Sequence, residues 1–214
     1  MKISFDSTIA ILGGAGKAGR PLVWEALRAG YRVRVLLRHP EQFDLTDARL
    51  QLIQGDARDP AALRQLLGGC SALLSTLGNP RGEPMPMLST VTGHLLLLLP
   101  EAGIRQYVTV TSLYKTGSEQ QDLPTKQAAE FMDQTFPQFM ADRRRELELL
   151  SASDLDWTYV RLPYVMQEPA LGTILVNLEH LPGPRITAED LARFLVGQLE
   201  SREYVSKAPF VANG

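Results

Sequence analysis

The stretch ILGGAGKAGR, Ile11 to Arg20, carries glycines at 13, 16 and 19, a G-x-x-G-x-x-G spacing. That spacing suits a main chain that must turn sharply and then meet a bulky anion at close range. Gly13 permits the turn, Gly16 admits a pyrophosphate against the backbone, and Gly19 lets the next helix pack close to the sheet. The phosphates would lie among Gly13, Gly14, Ala15, Gly16, Lys17, Ala18 and Gly19, at the positive end of a helix dipole, with Lys17 as a point charge. A glycine-rich turn that holds no ligand is the competing account. The position of the loop, after a first strand and before a helix, weighs against it.

Four further strand ends continue the pattern. LLRHPEQF places Arg38 where a nucleotide-binding fold that takes NAD usually has a carboxylate for the ribose hydroxyls. A guanidinium offers a fork to a 2′-phosphate instead, which favours NADP(H) and leaves NAD(H) as the second choice. GDARDP ends a third strand and puts Asp56 and Ala57 at the adenine ring. STLGNP ends a fourth and brings Thr76, Leu77 and Gly78 toward the second ribose and the nicotinamide. Thr111, a further cofactor-binding candidate, and Ser112 close a fifth, RQYVTVTS. A sixth stretch, FMADRRREL (Phe139 to Leu147), holds Arg143, Arg144 and Arg145 side by side. Such a run is usually a solvated helix face. Consecutive helical residues point about 100° apart, so the three cannot share one face.

These residues need a scaffold, and the apolar pattern supplies one. Short apolar runs (TIAIL, YRVRVLL, LQLIQG, SALLSTLG, RQYVTVTS, DWTYVRLP) alternate with helically spaced segments, among them RPLVWEALRAG and a helix over Leu88–Ala102. DPAALRQLLGG reads as a helix capped by Asp59 with Pro60 at its first position. Strands and helices alternating at this pitch predict an α/β fold: a doubly wound parallel sheet of Rossmann type. Leu113–Pro137 is polar and aperiodic and reads as an excursion near the strand ends, with a short helix from Thr125 and a long helix after it through Leu150. GTILVNL is a strand candidate, and TAEDLARFLVGQLES is a helix capped by Thr187. The organisation expected is one domain, a core over about 1–163 and a small C-terminal substrate subdomain over about 164–214.

Composition narrows the classes. With 214 residues one domain is the default, and a net charge of −2 speaks against a nucleic-acid or anionic-membrane binder. Cys70 is the sole cysteine, which suits a reducing, cytoplasmic setting, and His39, His94 and His180 are scattered, so no metal site is expected. HLLLLLP is too short to span a bilayer, and the N-terminus lacks a signal-peptide pattern.

With GGAGKAG, VRVLLRHPEQ, GDARDP, AGIRQYVTVTS, SASDLDWTYVRLP and RITAEDLARFL in place, the chain resembles the atypical short-chain dehydrogenase/reductases, in their NmrA-like NAD(P)H-binding branch. Glu168–Phe194 and STLGN are most similar to the flavin reductase/biliverdin reductase B proteins. Nearly the whole chain takes part, least so Lys115–Gln138. Most short-chain dehydrogenases carry Tyr-x-x-x-Lys on the long helix; those positions fall here on Phe139 and Arg143. Phenylalanine has no proton to give, while Arg143 keeps a charge that would hold the cofactor, with Arg144 and Arg145 toward water. The resemblance implies direct hydride delivery to a conjugated acceptor, with Ser112 at the nicotinamide and Tyr164 at the substrate as the catalytic pair. Tyr114 is a weaker candidate in the same mouth.

Three functions compete at this point. The first is an NADPH-dependent reductase of flavins, tetrapyrroles or quinones. The second is a non-catalytic NADP(H)-binding redox sensor that answers to a protein partner. The third, a nucleotide-sugar epimerase or dehydratase, is disfavoured because it needs the missing tyrosine. The partner expected is a small-molecule acceptor, in a monomer or weak homodimer.

Overall fold

The computed structural model describes residues 7–78, 84–115 and 120–214. Asn79 and Pro80 of STLGNP and residues 116–119 of the polar excursion lie outside them. The first unit is β1 (Thr8–Leu12), α1 (Gly19–Arg28) and β2 (Arg32–Leu37). Then come β3 (Leu50–Gln54), α2 (Pro60–Leu67), β4 (Ala72–Ser75), α3 (Leu88–Glu101) and β5 (Gln106–Thr111). Two consecutive helices, α4 (Leu123–Thr135) and α5 (Pro137–Ser151), lead to β6 (Asp156–Arg161).

The C-terminal part holds β7 (Tyr164–Met166), β8 (Ile174–Asn177), β9 (Arg185–Thr187), α6 (Ala188–Gly197) and β10 (Phe210–Asn213). The main sheet runs β3-β2-β1-β4-β5-β6-β10-β8, and β7 pairs with β9 in a small second sheet. Every pair in the main sheet is parallel except β10 with β8. Strand order reverses between β1 and β4. A crevice opens there beyond the strand ends, the place where doubly wound folds bind ligands.

Both faces of the sheet are covered, so its inner strands are apolar without alternation. Ile9, Ala10 and Ile11 of β1 are fully buried. Against one face α1 and α6 pack Leu22, Val23, Leu191 and Leu195. Against the other, α2, α3 and α5 pack Leu63, Leu66, Leu95, Leu99 and Leu150. Each such side chain contributes about 1.5–3 kcal/mol. Asp59 caps α2, its carboxylate accepting from the Ala61 amide at 2.9 Å. Thr187 caps α6 in the same way, accepting from Asp190 at 3.1 Å.

Two elements differ from the sequence reading. The helix expected to be short and to begin at Thr125 is 13 residues long and begins at Leu123. Asp122 accepts from the Thr125 amide at 3.0 Å and so starts it two residues earlier, with Pro124 in the first turn. Thr125 is buried instead, its hydroxyl accepting from the Leu181 amide at 2.9 Å. Strand β10, which no sequence signal marks, returns to the main sheet beside β6 and carries β8 on its outer side. Residues 164–214 thus both form the small second sheet and complete the large one. Among the described residues no helix is long and apolar enough to cross a membrane.

Candidate functional site

A cleft of about 940 Å³ opens at the reversal of strand order. Its walls are the loops after β1 (Gly13–Ala18), β2 (Arg38), β3 (Gly55–Arg58) and β4 (Thr76–Gly78), closed at the inner end by Met87, Val110, Leu162 and Val165. Gly13 has φ +78°, and a Cβ there would stand 2.7 Å from the Leu77 nitrogen. Only glycine lets the β1 and β4 loops meet at that distance. The Thr76 hydroxyl then donates to the Gly13 carbonyl at 3.3 Å and ties the two loops together.

A Cβ on Gly19 would lie 2.0 Å from the Gly13 oxygen. The third glycine therefore makes room for the loop's own first carbonyl, where a close approach to the sheet was expected. Among the described residues, the amides of Ala15, Lys17 and Ala18 have no protein acceptor, and the first turn of α1 holds no acid. Unspent amides at a helix N-terminus suit a phosphate, so the residues present fit the pyrophosphate of a dinucleotide.

At the outer end, Asp56 and Arg58 form a fork of two hydrogen bonds, 2.9 and 2.6 Å, and Asp56 also accepts from the Arg58 amide at 2.8 Å. The Arg58 side chain lowers the Asp56 carboxyl to about 2, with Arg38 adding to the effect from across the cleft mouth. Asp56 is therefore ionised at any ordinary pH. Arg58 belongs to the lining and escaped the sequence reading, though its i+2 spacing from Asp56 was a visible signal.

At the inner end, helix α5 divides FMADRRREL between two environments. Arg144 and Arg145 face outward and pair with Asp133 and Glu148. Asp142, Arg143 and Glu146 face inward and are almost wholly buried. Asp142 accepts from the amides of Met87, Leu88 and Ser89 at 3.0, 2.7 and 3.0 Å, capping α3 from a neighbouring helix. Burial opposes ionisation of this carboxyl, but the bonds from Ser89, Met87 and Leu88 outweigh it and its pKa falls below the ordinary value. Arg143 donates to the Val110 carbonyl at 3.0 Å, to Glu146 at 2.8 Å and to the Leu77 carbonyl at 3.3 Å. Its guanidinium also lies 5.2 Å from the centre of the Phe139 ring. Tyr159 donates to Glu146 at 2.7 Å; burial and the carboxylate hold its phenol well above its ordinary pKa.

The predicted residues fall into two groups. Gly13 to Ala18, Arg38, Asp56, Ala57, Thr76, Leu77 and Gly78 line the cleft. Gly19, Thr111, Ser112, Arg143 and Tyr164 are not among its lining residues. Thr111 is buried, its hydroxyl accepting from the Leu113 amide at 2.9 Å. Ser112, half-buried, follows it at the end of β5. Tyr164 stands 72 % exposed on β7, one residue from the lining residue Val165. Tyr114 packs on Phe210 and donates to the Leu162 carbonyl at 2.9 Å, a structural role. Met87, Val110, Leu162 and Val165 went unread, because apolar residues next to strand ends carry no chemical signal of their own.

The sheet order, the glycine loop and the crevice together define a Rossmann-type nucleotide-binding protein. The chain belongs to the NAD(P)H-binding family, whose pattern matches residues 13–202. Over 70 residues it is 36 % identical to the photosystem II assembly factor Ycf39 of Trieres chinensis, a match that spans 32 % of this chain and 22 % of that protein. A short-chain dehydrogenase/reductase of Veillonella parvula, solved in complex with NADP, superposes with a TM-score of 0.81 at 14 % identity, covering 97 % of this chain and 94 % of the other. ChuY, an anaerobillin reductase of Escherichia coli O157:H7, gives 0.78 at 18 % identity over 97 % of both chains. At these identities the likeness carries the fold. It is the fold of the short-chain dehydrogenase/reductases that the sequence resembles.

Proposed function

We propose that this protein is an NADPH-dependent reductase that passes hydride to a conjugated acceptor such as a flavin, a tetrapyrrole or a quinone. The observation that carries the reading is the cleft itself: unspent loop amides for a pyrophosphate, with Arg38 where an NAD site would place a carboxylate. Arg38 takes the 2′-phosphate, Asp56 and Ala57 flank the adenine, and Thr76–Gly78 support the second ribose. The nicotinamide then falls at the inner end, among Met87, Val110, Leu162 and Val165. NADPH supplies the hydride when bound.

Phe139, at the position of the usual catalytic tyrosine, removes side-chain proton delivery from α5. An acceptor that spreads the incoming charge over a conjugated system does not need it, because it can take its proton from water. What remains for the protein is positioning and shielding. Ser112, at the end of β5, orients the carboxamide. Tyr164, exposed on β7, covers the acceptor or gives it a proton.

The test is NADPH oxidation by the purified protein with FMN as acceptor and NADH in parallel. Saturable turnover that prefers NADPH is expected. NADPH binding without turnover on a flavin, a tetrapyrrole or a quinone would instead make the protein an NADP(H)-binding sensor.

A further inference from the structure

Helix α5 reaches the cleft without lining it. Val110 and Leu77 both belong to the inner end, one at the end of β5 and the other on the loop after β4. Their carbonyls are bridged by one guanidinium, that of Arg143, at 3.0 and 3.3 Å. The guanidinium is fixed from behind by Glu146 at 2.8 Å, and Glu146 is in turn held by Tyr159 at 2.7 Å and Thr92 at 3.2 Å. Side-chain exposure is 4 % for Arg143 and 2 % for Glu146. A planar fork held on several acceptors has little freedom to move. The backbone it grips is therefore fixed in the same degree. The Arg143 Nε–H, also buried, has no hydrogen-bond partner among the described residues, so the group is one bond short of full satisfaction.

From this arrangement we propose that Arg143 is a positioning residue for the nicotinamide half of the cofactor. It acts through the Leu77 and Val110 backbone that it staples together, and not by touching the ribose. Most short-chain dehydrogenases carry a lysine at this helix position. Here the charge has been withdrawn beneath the cleft floor and neutralised by Glu146 three residues on. The proposal rests on the reading of the cleft as an NADPH site. It adds that the two halves of the cofactor depend on different parts of the protein. The adenine half rests on strand-end loops, and the nicotinamide half on the buried pair behind β4 and β5.

Adenosine 2′,5′-bisphosphate separates the two, since it fills only the adenine half. Arg143→Lys keeps the charge but cannot span three acceptors. Its affinity for NADPH should fall at least tenfold, while its affinity for adenosine 2′,5′-bisphosphate stays within twofold of the unaltered protein. The paired exchange Arg143→Met with Glu146→Gln removes both charges and should show the same split. Equal losses on both ligands, or no loss on either, would overturn the proposal.

If neither variant folds, the unaltered protein still decides the question. The NMR signal of the buried Arg143 Nε–H should move when NADPH is added and stay in place with adenosine 2′,5′-bisphosphate. A signal indifferent to both ligands overturns the proposal. Failure of the unaltered protein to bind either ligand would remove the NADPH reading itself, and this inference with it.

Discussion

At the outer end of the cleft, Arg38, Asp56 and Arg58 stand on strand-end loops, and their side chains meet both solvent and the cleft mouth. At the inner end the charges are Asp142, Arg143 and Glu146, each no more than 4 % exposed; Asp142 and Arg143 bind neighbouring backbone, and Glu146 binds the side chains of Arg143, Tyr159 and Thr92. The outer charges line the cleft, where a ligand can meet them. The inner ones are already spent on the fold. Charge at the two ends should therefore fail differently when removed: at the outer end in binding, at the inner end in stability and in the shape of the cleft.

The largest effect is expected from Arg143→Met. It leaves the Glu146 carboxyl buried and without its cation, and losing one partner of a buried pair costs roughly 3–5 kcal/mol. Chemical denaturation should show that loss, and adding Glu146→Gln should restore much of it. A single variant as stable as the parent would mean that the inner pair is not structural. Next in size comes Asp142→Ala, which strips the acceptor from three amides at the start of α3. Orphaned buried donors of this kind cost roughly 2–4 kcal/mol in total. A shift in denaturation midpoint equivalent to less than about 1 kcal/mol would show that water replaces the cap.

The outer end answers to a binding measurement. Arg38→Ala should leave the melting temperature almost unchanged and weaken NADPH on the order of 1.5–3 kcal/mol, with little effect on NADH. Titration of both cofactors against the variant checks this. Equal losses for the two would detach Arg38 from the 2′-phosphate.

The same division explains what could be read from the sequence. Glycines 13, 16 and 19, Arg38 and GDARDP were legible because strand-end loops are contiguous in the chain and their chemistry shows in residue type. The doubly wound parallel sheet followed from the alternation of apolar runs with helical segments, since parallel strands need helical crossovers that cover both faces. Asp142 gave no such signal: its partners, Met87 to Ser89, lie more than fifty residues away, and only packing of α5 on α3 brings them together. Arg143 was seen as a charge, but its partners, Val110 and Leu77, are carbonyls, which every residue has. Strand β10 was missed because three ordinary apolar residues and an asparagine after Pro209 do not stand out from a loop.

The smallest expected effect tests whether the outer end is as loosely tied to stability as its exposure implies. Asp56 is bound by Arg58 and held at about 2, below the ordinary carboxylate value of roughly 3.9. A carboxyl depressed in the folded state adds stability that is complete above its unfolded pKa and is lost as pH falls through the folded one. For Asp56 that window runs from about pH 4 down to about pH 2. Both partners are about a third exposed, 34 % and 37 %, so solvent screening limits the gain to roughly 0.5–1 kcal/mol. Asp56→Asn should therefore match the parent below about pH 2 and fall behind by no more than that amount above pH 4. Denaturation curves across this range would show it. A deficit several times larger at neutral pH would place Asp56 among the groups the fold depends on, and the contrast between the two ends of the cleft would have to be redrawn.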